Sequence, residues 1–145
     1  MRINGDWLEC SDGVIRPSLP GFVRAHDGTM IEVTFLLDAG ADRTVFSSRY
    51  LHGLRSLTTS EEDHIPLAGV GGQVQSVTVR TDVALIRDDG RLVTVRGAFG
   101  VFTQSESAEM SVLGRDVTNN FDAIYSFPRR EVILLATPHC YRVLS

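Results

Sequence analysis

Short apolar and β-branched runs, cut by glycine and Asp-Gly pairs, set the pattern of this chain. Residues 22–37 read Phe-Val-Arg-Ala, then His-Asp-Gly-Thr, then Met-Ile-Glu-Val-Thr-Phe-Leu-Leu. Asp-Gly between two apolar runs predicts a hairpin, because glycine accepts the positive φ that a tight turn needs. The device recurs where 83–87 and 91–95 flank Asp88-Asp89-Gly90. A third hairpin is predicted where 123–127 and 131–135 flank Pro128-Arg129-Arg130. Between 77 and 85 the odd positions are Val77, Val79, Thr81, Val83 and Leu85, and the even ones include Thr78, Arg80 and Asp82. That period of two predicts one buried face and one wet face. Helical spacing is scarce: one turn is expected over 47–51 and a short helix over 115–120, after Gly114. Residues 1–20 hold Gly5, Gly13, Pro17 and Pro20 and are expected to be an irregular N-terminal arm, with 21–145 as the folded domain. The class is all-β, a small closed or folded-over sheet system.

Composition narrows the function. The 145 residues suit one domain, and 43% hydrophobic content is enough for a core, which excludes a disordered chain. The net charge is −4 with no run of positive residues, so neither a nucleic-acid face nor binding to an anionic membrane is expected. No apolar run approaches the roughly 18 residues of a membrane span. The first residues lack the apolar core of a signal peptide, so a cytoplasmic location is expected. Cys10 and Cys140 stand near opposite ends without a CxxC pattern and are read as free thiols. His26, His52, His64 and His139 show no metal-ligand spacing, so neither a metal nor a cofactor is expected. No serine sits in Gly-x-Ser-x-Gly.

Three segments carry the chemistry. In Phe35-Leu36-Leu37-Asp38-Ala39-Gly40-Ala41-Asp42, an apolar strand runs into a carboxylate, which is costly at the end of a buried strand unless something donates to it. Gly40 allows a tight turn whose N–H groups point back at Asp38. On this segment alone an Asx turn closing a strand is an equal reading. In Ala68-Gly69-Val70-Gly71-Gly72, glycines form the tip of a hairpin and let a ligand approach the backbone; no helix or lysine follows, so it is not a phosphate loop. In Val112-Leu113-Gly114-Arg115-Asp116, apolar residues end in glycine at the mouth of a short helix, a weak echo of 36–40.

In this order the three segments resemble the retropepsins, the retroviral-type aspartic proteases, and more closely their cellular and bacterial single-domain relatives. The resemblance spans about residues 22–135. It implies a single-lobe acid-protease fold with a glycine-tipped flap and one short helix, and an aspartic endopeptidase acting on extended polypeptides. Asp38 would be the catalytic acid/base. The chain carries one such motif, and Asp116 follows Gly114 too late to be its partner, so the resemblance implies a homodimer with one Asp38 from each subunit. Gly40, Ala41 and Asp42 would line the substrate groove, and Gly69, Val70, Gly71 and Gly72 would form the flap. Asp42 and Arg115 would form a buried ion pair beneath the site. Ala39 departs from the family, which has Thr or Ser there to interlock the two active-site loops. That departure gives a second reading: the same fold as a weakly catalytic or non-catalytic module that grips peptides or proteins.

Overall fold

The computed structural model describes residues 1–59, 67–69, 72–104 and 110–144. Eleven strands are described: β1 (Arg2–Glu9), β2 (Ile15–Arg24), β3 (Met30–Leu37), β4 (Val45–Phe46), β5 (Leu67–Gly69), β6 (Gly72–Val74), β7 (Ser76–Ile86), β8 (Leu92–Phe102), β9 (Ser111–Leu113), β10 (Asp122–Ser126) and β11 (Glu131–Leu135). Two four-residue helices accompany them, α1 (Leu51–Leu54) and α2 (Arg115–Thr118). The three predicted hairpins form, as β2–β3, β7–β8 and β10–β11. Gly28 and Gly90 take φ of 86° and 80° in the first two turns. Helix α2 falls inside the predicted 115–120. The turn expected over 47–51 runs further, because 3₁₀ turns at Ser48–Tyr50 and Arg55–Leu57 flank α1.

The pairings close a barrel. The order β2-β3-β9-β4-β8-β7 is completed by β7 pairing back onto β2, so six strands form a ring. Most pairs are antiparallel; β3–β9 and β4–β8 are parallel. Phe46 is fully buried at the centre, with ring centroids 5.8 Å from Phe35, 6.0 Å from Phe99 and 6.4 Å from Tyr50. Closure also corrects the period-two reading of 77–85. The odd positions are buried as expected, but so are Thr78, Asp82 and Ala84. Strand β7 lies between β2 and β8 in a closed ring, and Arg24 and Arg96 reach over Asp82 from either side.

Residues 1–20 are not an irregular arm. They form β1 and the first part of β2, and β1 pairs with β2 on one side and β11 on the other. Gly5 and the prolines fit the sheet, and Gly13 takes φ of 77° in the turn between β1 and β2. A Cβ on Gly5 would stand 2.3 Å from the Ser18 carbonyl oxygen, so glycine permits the close crossing. Pro20 falls where β2 changes partner from β1, last paired at Ser18, to β7, first paired at Gly21, a place where a missing N–H is tolerated. Trp7 ties this extension together: its Nε1–H donates to the carbonyls of Ser126 and Glu131, and its ring meets Phe127 edge-on at 5.0 Å.

Candidate active site

Asp38 sits one residue beyond the end of β3. Its backbone N–H donates to the Leu113 carbonyl at 3.3 Å, extending the parallel β3–β9 register of Leu36 with Val112 and Leu37 with Leu113. The two echoing segments therefore lie side by side in register. After Asp38 the chain turns, with the Ala41 N–H donating to the Asp38 carbonyl at 3.1 Å. The Gly40 N–H donates to Asp38 Oδ1 at 2.9 Å, the donor expected from the turn. Asp38, Ala39 and Gly40 are all exposed, and among the described residues no cation pairs with the carboxylate.

The loop is locked from behind by the segment at Gly114. The N–H groups of Arg115 and Asp116, at the unsatisfied start of α2, donate to the carbonyls of Ala41 (2.8 Å) and Asp42 (3.2 Å). Gly114 itself packs against the chain: a Cβ there would stand 2.4 Å from the Arg43 carbonyl carbon. Thr44, fully buried, joins both sides. Its Oγ accepts from the Gly114 N–H at 3.0 Å and donates to Asp116 Oδ1 at 2.7 Å, while its own N–H donates to the Asp116 carboxylate at 2.9 Å.

Asp38, Gly40, Ala41, Asp42 and Arg115 are thus brought together. Asp42 and Arg115 form the expected ion pair, but it is not buried: their side chains are 78% and 52% exposed among the described residues. The inward-reaching carboxylate belongs to Asp116 instead. Gly69 and Gly72 stand opposite each other at the end of the β5–β6 hairpin. Val70 and Gly71 lie outside the described residues. Sequence reasoning missed Thr44, whose role depends on Gly114 seventy residues away. It also missed Tyr125 on β10. Tyr125 is 41% exposed; its partial desolvation, and then the negative charge of Asp38, push its phenol above its ordinary range, which places it within electrostatic reach of Asp38.

No protein-family model matches the chain, and no curated protein matches it. Among solved structures, a retropepsin-like aspartic protease from Rickettsia conorii matches with a TM-score of 0.54 at 14% identity, over 92% of this chain and 88% of that one. The fold is retropepsin-like. The retroviral protease-like domain of Ddi1 from Leishmania major matches with a TM-score of 0.48 at 18% identity, over 84% of this chain and 97% of that one. The EIAV protease, solved with the inhibitor HBY-793, matches with a TM-score of 0.45 at 24% identity, over 72% and 86%. Within this retropepsin-like fold, the Asp38 loop and the Gly114 turn form one hydrogen-bonded unit. Among the described residues no helix is long and apolar enough to cross a membrane.

Proposed function

We propose that the chain is an aspartic endopeptidase that works as a homodimer, with Asp38 of each subunit forming the catalytic pair. The observation that carries this reading is the exposed Asp38 carboxylate, held at the end of β3 by the Gly40 N–H and by the Gly114 turn. One carboxyl group cannot take a proton from water and give one to a carbonyl oxygen in the same step. Two that share one proton can. A two-fold axis beside Asp38 supplies the second from an identical chain. The ionised Asp38 removes a proton from water, whose oxygen attacks the peptide carbonyl carbon, and the protonated Asp38 gives its proton to the carbonyl oxygen. Collapse of the tetrahedral intermediate breaks the C–N bond, and the departing nitrogen takes up a proton. An extended peptide pairs its backbone with the groove at Gly40, Ala41 and Asp42, and Gly69 to Gly72 close over it. The free thiols of Cys10 and Cys140 favour a reducing compartment, the cytoplasm.

Ala39 favours a second reading, a peptide-gripping module without efficient catalysis, because alanine has no hydroxyl to interlock two loops across the axis. Incubation with an unfolded protein between about pH 4 and 7, spanning carboxyl ionisation, separates the two. Wild type is expected to cleave and Asp38→Asn to fail, with sedimentation showing a dimer at cleaving concentrations. Equal absence of cleavage in both proteins, while the wild type still binds the unfolded chain, establishes the module instead.

A further inference from the structure

A concave site lies at the end of the barrel away from Asp38. Asp38 follows the C-terminal end of β3, whereas this cleft opens beside the turn that precedes Met30. Seven strand steps separate the two ends of β3, about 23 Å at ~3.3 Å each. The cleft encloses about 460 Å³, the size of a metabolite pocket. Leu57, Ala25 and Gly97 give it apolar walls, and three arginines reach into it.

The arginines are arranged by strand register. Asp82 on β7 stands opposite Arg96 on β8, and Arg24 ends β2 on the other side of β7. Asp82 is 5% exposed and accepts from Arg96 Nε at 2.7 Å, Arg96 Nη2 at 3.1 Å and Arg24 Nε at 3.0 Å. These bonds, the Arg96 guanidinium first, hold the Asp82 carboxyl below its ordinary range, so it stays ionised. Arg24 Nη1 also donates to the Gly28 carbonyl at 3.4 Å. Arg24 Nη2 and Arg96 Nη1 donate to nothing among the described residues. Arg80, two residues from Asp82 on the same face, has no carboxylate partner among them either. It is the diagonal cross-strand neighbour of Arg96, a separation long side chains span. Asp27 does not enter the balance, because its carboxylate turns to the N–H and hydroxyl of Thr29.

Among the described residues, three guanidinium groups against one carboxylate leave a local charge of +2 in a chain whose net charge is −4. A single carboxylate ligand leaves one positive charge over, whereas a phosphate monoester carries close to two negative charges and several acceptor oxygens for forked guanidinium donors. We propose that this cleft binds a small phosphate monoester, its phosphoryl group held between Arg80, Arg96 and Arg24 and its organic part against Leu57 and Ala25. The site does not depend on Asp38, and its test does not read proteolysis.

The test is an amide-resolved NMR titration of the full chain at constant ionic strength, with glycerol 3-phosphate, inorganic phosphate and acetate as probes. Saturable shifts are expected at Gly28, Thr81 and Gly97, with the monoester tighter than inorganic phosphate and acetate weaker by about tenfold or more. Arg80→Gln removes one forked donor at an exposed position and is expected to weaken the monoester by about tenfold, with the remaining resonances unchanged. Arg80→Lys should recover part of the loss. Non-saturating shifts, equal binding of acetate, or unaltered affinity in Arg80→Gln overturns the proposal.

Discussion

Removing the Thr44 hydroxyl should weaken the unit that holds Asp38, and Thr44→Val does this while keeping the side-chain shape. Thr44 is fully buried, and its Oγ serves the Gly114 N–H and the Asp116 carboxylate at once. Valine leaves the Gly114 N–H buried without an acceptor, a loss of about 1–3 kcal/mol. The bond to Asp116 adds less, on the order of 0.5 kcal/mol, because Asp116 is exposed, water replaces the hydroxyl, and the Thr44 N–H still donates to it. The sum is about 1.5–3.5 kcal/mol, or a fall in Tm of roughly 3–14 °C for a domain of this size. Thr44→Ser keeps both bonds and loses only a buried methyl, about 1 kcal/mol. Urea unfolding of the three proteins at one concentration gives the ranking, with serine expected between wild type and valine. If valine lies within about 0.5 kcal/mol of wild type, the surface-substitution range, or serine is the worse of the two, packing alone holds this junction and the hydrogen-bond reasoning fails.

Three further outcomes test other parts of the structure. Gly114→Ala places a methyl 2.4 Å from the Arg43 carbonyl carbon, so a loss at or above about 3 kcal/mol is expected in thermal unfolding, the upper range for overpacking. Arg115→Ala breaks an exposed pair and should change stability by about 1 kcal/mol or less in urea; a larger loss at concentrations where the chain is monomeric contradicts the exposed geometry. Asp82 has a carboxyl pKa lowered in the fold, so its stabilisation is complete above the unfolded value of about 3.9 and is lost as pH falls through the folded one. Stability measured from pH 7 downward should therefore fall less steeply in Asp82→Asn than in wild type, and parallel curves refute the assignment.

Local chemistry was readable wherever one short segment contains its own cause. The Asp-Gly turns at 27–28 and 89–90 announce their hairpins because the glycine and the flanking apolar runs are adjacent in sequence. The same holds for Asp38, where the acceptor and the Gly40 donor lie two residues apart. What the sequence conceals is pairing at a distance. Gly5 and Pro20 read as breakers until β2 is seen to change partner between Ser18 and Gly21. Asp82 reads as a wet position until closure of the ring sets Arg24 and Arg96 on either side of it. The Asp42–Arg115 pair shows the reverse limit: its partners were legible, but its exposure is a property of what covers it, and among the described residues it stays largely open. Thr44 belongs with the distant pairings, since a threonine immediately before β4 carries no local mark of the Gly114 N–H that it satisfies. The candidate site thus depends on two segments, 38–46 and 111–118, each ordinary by itself. The parallel β3–β9 register brings the Asp38 turn and the Gly114 turn to the same level, and that level is where an exposed carboxylate is held in a fixed place.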